Sequence, residues 1–134
     1  MTQNLIRDVW ERANRRCEYC HMPAFGYAGS FHVDHIVARQ HGGETITENL
    51  ALACLHCNQR KGPNIAGRNP ETGKIIPLFH PREDRWGDHF EWLGADLIGR
   101  TEIGRATIQV LAINDPGFRA IRIALRDEGI SEWS

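Results

Sequence analysis

The sequence predicts an α+β fold, and three observations carry that expectation. Apolar residues recur at helical spacing near the N-terminus and again over the last third of the chain. Residues 31–37 alternate as a half-buried strand does. Between these regions stand four cysteines in two C-x-x-C pairs, Cys17 with Cys20 and Cys54 with Cys57, which bracket the strand. At 134 residues the chain is expected to form one domain, burying roughly 65–70% of its unfolded surface.

Residues 2–16 read as an amphipathic helix that Thr2 or Asn4 can cap, with Leu5, Ile6, Val9, Trp10 and Ala13 on one side. Arg7, Arg12, Arg15 and Arg16 fall on the other, expected to be solvated. The loop 21–30 is rich in turn formers. In the strand 31–37, Phe31 and Val33 face one way while His32 and Asp34 face the other. Gly42-Gly43 marks a tight turn. Residues 49–53 suit a second strand, and residues 55–61 a helix that Gly62-Pro63 stops.

Residues 63–74 read as a connection without regular structure, residues 75–79 as extended chain interrupted by Pro77, and residues 86–93 as a strand. Thr101 is a suitable cap for a helix to about Asn114, and Asp115-Pro116 opens a last helix to about Glu128. The expected organisation is a core with its N-terminal helix over residues 1–68, and a β-plus-two-helix extension over residues 69–134 packed on it.

Composition excludes several classes. With 41% hydrophobic and 25% charged residues the chain is ordinary for a globular protein. No apolar run approaches the ~20 residues that span a bilayer, so no membrane partner is expected. The N-terminus lacks the basic-then-apolar signal pattern, which places the expected location in a cytoplasm, where paired cysteines hold metal more often than disulfides. The net charge of −1 gives no global basic field. Residues 1–68 nevertheless carry eight basic against six acidic side chains, so nucleic acid would be met by a local patch and a metal ion.

The chemistry concentrates between the cysteine pairs. Four thiolates can meet tetrahedrally around one Zn²⁺, and such a closed site staples a fold without catalysing. Redox use of a C-x-x-C and four unrelated buried thiols are the alternatives; the β-α-β context of a redox motif is absent from the pattern. Cleaving a phosphodiester takes a base for water and a hard cation for the phosphate. His35 suits the base, having a reference pKa near neutrality. Asp34 and Asn58 offer oxygen ligands that Mg²⁺ or Mn²⁺ accepts. Asn49 can hydrogen-bond near the histidine and fix its orientation. Strand periodicity opposes this set, because neighbours such as Asp34 and His35 point to opposite faces unless the strand ends there.

Read together, Cys17-x-x-Cys20, Asp34-His35-Ile36, Gly42-Gly43, Asn49-Leu50 and Cys54-x-x-Cys57-Asn58-x-x-Lys61-Gly62 resemble the HNH endonuclease family in its four-cysteine branch. The resemblance spans about a third of the chain. It implies a ββα-metal core with His35 as general base and Asn49 as the orienting residue. It implies one catalytic Mg²⁺ or Mn²⁺ on Asp34 and Asn58, and structural Zn²⁺ on Cys17, Cys20, Cys54 and Cys57. Two positions depart from the common pattern: Asn58 stands where many members have histidine, and Ala38 where many have proline. Segments 72–82 and 104–107 resemble an extension of some small bacterial members, to which no activity attaches.

The expected function is metal-dependent hydrolysis of nucleic acid, most simply double-stranded DNA, with Arg39, Arg60 and Lys61 holding the substrate backbone. The alternative is a catalytically silent, zinc-stapled nucleic-acid-binding module, for which damage to the Asp34–His35–Asn49–Asn58 set would speak; none is damaged. His32, His41 and His56 are weighed as phosphate or metal contacts against surface positions. Arg119, Arg122 and Arg126 can form a second phosphate track, although Asp127, Glu128 and Glu132 nearby favour a solvated face. The sequence says nothing of oligomeric state.

Overall fold

The computed structural model describes residues 1–130. Its elements are α1 (Gln3–Arg12), β1 (Phe31–His35), β2 (Leu50–Cys54), α2 (Leu55–Lys61), β3 (Ala66–Arg68), β4 (Ile75–Pro77), α3 (Trp86–His89), β5 (Phe90–Leu93), β6 (Asp96–Gly99), α4 (Glu102–Val110) and α5 (Pro116–Asp127). The strands pair as three antiparallel hairpins, β1–β2, β3–β4 and β5–β6, so the architecture is α+β as expected.

Helix α1 begins at its expected cap, the Thr2 hydroxyl accepting from the Leu5 N–H at 3.2 Å. It ends four residues before the expected boundary, because Asn14 and Arg15 adopt left-handed conformations that no helix continues through. Arg15 and Arg16 therefore lie beyond the last turn, and only Arg12 occupies it. Arg12 is not simply solvated either: its guanidinium donates to the carbonyls of Thr47 at 2.9 Å and Leu50 at 2.6 Å. This ties α1 to the start of β2, while Val9, Leu5, Trp10 and Ala13 pack on Leu50, Leu52, Phe31 and Val33.

The β1–β2 hairpin runs in register from Phe31 opposite Cys54 to His35 opposite Leu50. Strand β1 stops two residues before the expected end, since the main chain of Ile36 and Val37 turns to Asn49 instead of a partner strand. Every residue of β2 is buried. Helix α2 has the expected bounds. The Cys54 sulfur caps it by accepting from the Cys57 N–H, and Gly62, at φ 51° and ψ −138°, ends it in a conformation suited to glycine.

Three expectations over residues 63–114 are corrected. The connection contains β3, whose three residues pair with β4 despite Pro77, which sits at the hairpin end opposite Ala66. Residues 86–93 are a helical turn followed by a strand rather than one strand, and β6 follows as its partner. Helix α4 ends at Val110, short of Asn114, with left-handed Ala112 just beyond.

The extension joins the cysteine-bearing core in one cluster: Tyr19, Met22 and Ala53 pack with Phe79, Leu111 and Phe118. Helix α5 matches its expected start, the Asp115 carboxylate accepting from the Gly117 N–H. Its arginines do not form the phosphate track. Arg122 is buried, Arg119 pairs with Asp96 at 2.7 Å, and Arg126 alone remains exposed among the three. Glu132, weighed with them, lies outside the described residues.

Candidate active site and metal centre

The cysteines meet at the junction of two tight turns. Cys17 and Cys20 flank one, and Cys54 closes β2 just before Cys57 opens α2. All four sulfurs lie within 4.8 Å of one another and are buried, with Cys20 and Cys54 at 3.8 Å. Tetrahedral zinc with bonds of about 2.3 Å requires sulfurs about 3.8 Å apart, so the donor set fits the ion. Amides support the sulfurs: the Cys20 N–H points at Cys17 Sγ and the Cys57 N–H at Cys54 Sγ, each at 3.5 Å. Burial pushes the Cys20 and Cys57 thiols well up. Burial also opposes ionisation of Cys17, but hydrogen bonds from its three neighbours draw it well down. Four such thiols can all ionise only around a cation. None is in a disulfide.

The Asp34–His35 pair sits at the end of β1, beside this centre. Asp34 is buried, with one oxygen, Oδ2, accepting from the Tyr19 hydroxyl at 2.9 Å and lying 3.1 Å from the Lys61 ammonium. Burial pushes its carboxyl above the ordinary range, against the pull of Lys61 and Tyr19. The two residues point to opposite sides of the strand as periodicity requires. The strand ends at His35, however, which frees the imidazole: its Nε2 meets the Thr45 hydroxyl at 2.9 Å.

Asn49 acts on the main chain. Its Oδ1 accepts from the Val37 N–H at 2.9 Å, and its Nδ2 donates to the carbonyls of Val37 at 3.0 Å and Glu44 at 2.9 Å. It thus staples the loop that follows His35, and the group on the imidazole is Thr45. Gly43 is needed for the same closure, since a Cβ there would stand 1.7 Å from the Val37 carbonyl oxygen.

The remaining expected residues divide. Asn58 lies half-buried on α2. Arg39 and Arg60 are exposed, as a substrate contact requires. Lys61, expected with them on the surface, is only 2% exposed; it bonds Asp34 and donates to the His35 carbonyl at 3.2 Å. His32 is held by Ser30 at 2.8 Å, and His41 is exposed. His56 is a clasp rather than a surface residue. Its Nε2 lies 2.9 Å from the carbonyls of Leu111 and Ala112, and its ring stacks on Phe118 at 4.0 Å.

Tyr19, Thr45 and Glu18 were not singled out by sequence reasoning. Tyr19 and Glu18 lie inside the first C-x-x-C pair, where spacing directs attention to the sulfurs. Glu18 accepts from the Leu52 N–H at 2.8 Å and pairs with Arg82 of the extension. Thr45 follows the Gly-Gly turn, and its position there was the one available signal.

A family model described as HNH endonuclease matches residues 17–64. Septu protein PtuB of Bacillus thuringiensis is 24% identical over 106 residues, covering 78% of this chain and 38% of that protein. CRISPR-associated endonuclease Cas9 of Corynebacterium diphtheriae is 43% identical over 61 residues, covering 41% of this chain and 5% of that protein. The chain thus spans less than half the length of either relative. No solved structure matches it. The matched segment holds the β1–β2 hairpin, α2 and the four-cysteine cluster, with Asp34 and His35 between the cysteine pairs. Residues 17–64 therefore match the HNH endonuclease family, in a form whose four cysteines fit a zinc staple.

Proposed function

We propose that this protein is a metal-dependent endonuclease that hydrolyses phosphodiester bonds of DNA, with His35 as the general base. The observation that carries the reading is the convergence at the end of β1. Asp34 and His35 lie there between Tyr19 of one cysteine turn and Lys61 at the end of the helix leading from the other, while Asn49 fixes the loop beyond. With Nε2–H donated to Thr45, Nδ1 of His35 carries the free lone pair. It takes the proton from water as the water oxygen attacks phosphorus. The P–O3′ bond then breaks, leaving a 5′ phosphate and a 3′ hydroxyl.

Asp34 and Asn58 would hold one Mg²⁺ or Mn²⁺, a hard oxygen donor set that suits either ion. Such an ion supplies charge stabilisation at the phosphate and at the departing 3′ oxygen. Arg39 and Arg60, both exposed, hold substrate phosphates without reading sequence, so cleavage by this chain is weakly specific. The four cysteines hold Zn²⁺ and keep the two turns together; the zinc takes no part in the chemistry.

Incubating supercoiled plasmid with the full chain tests the reading. Relaxed circles should appear with added Mg²⁺ or Mn²⁺ and not with EDTA. Folded, zinc-loaded protein that leaves plasmid intact in every lane would favour a DNA-binding module without catalysis.

A further inference from the structure

A buried lysine in a nuclease core calls for an account of its charge. Lys61 is 2% exposed and Asp34 8%, and at that depth each is the other's charged partner. The ammonium touches two groups, Asp34 Oδ2 at 3.1 Å and the main-chain carbonyl of His35 at 3.2 Å. One side chain thus grips the acid through its carboxylate and the base residue through its backbone. Tyr19 completes the arrangement, its hydroxyl donating to the same Oδ2 at 2.9 Å. The grip comes from both cysteine turns: Tyr19 lies within the first, and Lys61 ends the helix that begins at the second.

We propose that Lys61 is a positioning residue, an internal counter-cation that holds Asp34 in its ligand pose and yields Oδ2 when a divalent ion arrives. This rests on the reading of Asp34 as a ligand of the catalytic ion. The carboxylate needs a positive neighbour in the metal-free protein, and Lys61 supplies it without displacing the backbone. A divalent ion then takes over the charge, and the ammonium withdraws from Oδ2. A cavity of about 40 Å³ borders Lys61, mostly apolar in its walls with Asn64 and His80 as their polar side chains, and is the space into which the ammonium would move. A lysine whose task was to hold substrate phosphate would keep its ammonium in solvent, as Arg39 and Arg60 do.

The test measures ion binding without DNA. Lys61→Met keeps the length of the stem and removes the charge that competes with the ion. Mn²⁺ titrated into zinc-loaded protein should bind the variant about tenfold more tightly than wild type, a Coulomb effect at close range. Nicking by the variant at saturating Mn²⁺ should fall, because the acid and the base residue lose their common hold. Mn²⁺ affinity unchanged or weakened in a folded variant would overturn the proposal.

If Lys61→Met does not fold, wild type labelled with ¹⁵N-lysine serves. The buried ammonium signal of Lys61 should move as Mg²⁺ is added, and a signal unmoved at Mg²⁺ saturation would overturn the proposal. Neither readout contains DNA, so a protein that nicks no plasmid can still pass both. Failure of this inference and failure of the nuclease reading are thereby told apart.

Discussion

Two buried cations divide the molecule. In the core, Lys61 faces a carboxylate, Asp34, whose burial raises its carboxyl above the usual range. In the extension, Arg122 is buried to the same degree, yet among the described residues it bonds no carboxylate. Its Nε and Nη1 donate to the carbonyls of Ala95 and Ile113 at 2.9 and 2.7 Å, and its Nη2 to Asn114 Oδ1 at 3.1 Å. The rings of Trp92 and Phe118 lie 5.5 and 5.3 Å from its guanidinium carbon. Burial lowers its pKa, but an arginine stays charged. A cation bonded to main chain and rings has nothing to exchange with, so it is architecture. A cation on a buried carboxylate has a charged partner, which is the bond the proposed metal ion would take over.

The same contrast runs through the rest of each region. Asn49, Tyr19 and Thr45 of the core arrange groups around Asp34 and His35. The polar groups of the extension grip the cysteine turns from outside: Trp86 Nε1 donates to the Tyr19 carbonyl at 2.9 Å, Arg82 pairs with Glu18, and the carbonyls after α4 receive His56. The extension thus braces the cysteine turns, and its Leu78 and His80 border the cavity beside Lys61.

If the core depends on its staple, Cys54→Ser should have the largest effect of any single change. Loss of one thiolate leaves three buried sulfurs without a cation, and structural zinc commonly contributes about 10 kcal/mol or more. The variant should show no cooperative thermal transition and no stoichiometric zinc. A sharp transition near that of wild type would mean that the hairpin stands without the metal.

Removing the buried cation of the extension should cost less. Arg122→Met fills the stem but orphans the buried carbonyls of Ala95 and Ile113, at about 3 kcal/mol in all, while Asn114 Oδ1 keeps the Leu97 N–H. Thermal melting should fall by roughly 10 °C, with zinc still bound. Loss of zinc in this variant would show that the two regions are one cooperative unit rather than a site and its support. The smallest effect belongs to Arg119→Ala. Its pair with Asp96 is partly exposed on both sides, and screening leaves less than about 0.5 kcal/mol. A larger fall in denaturant midpoint would mean that α5 is anchored through its outer face.

Much of the core was legible because its signals are local. Helix α2 could be bounded from sequence, since a cysteine cap begins it and Gly62-Pro63 ends it. The metal cluster was legible because C-x-x-C spacing nearly fixes the geometry of each turn. Strand β3 was not, being three residues long with Gly67 at its centre. The alternation of Phe90, Glu91 and Trp92 was real, but extending it back to Trp86 hid a helical turn.

Lys61 and Arg122 were illegible for a deeper reason. A charged side chain is expected in water unless a partner distant in sequence takes its charge, and both partners here are set by tertiary packing. Sequence reasoning set Asn49 to orient the histidine, while its grip on Val37 rather than on the ring depends on a loop closure that spacing does not reveal.

The central claim is that this chain cleaves DNA with His35 as the base. Supercoiled plasmid should be incubated with wild type and with His35→Ala at saturating Mg²⁺, each shown to be folded and to carry one zinc. Relaxed circles should form with wild type, and the variant should lose at least about a hundredfold in nicking rate. Equal nicking by the two proteins would contradict the account.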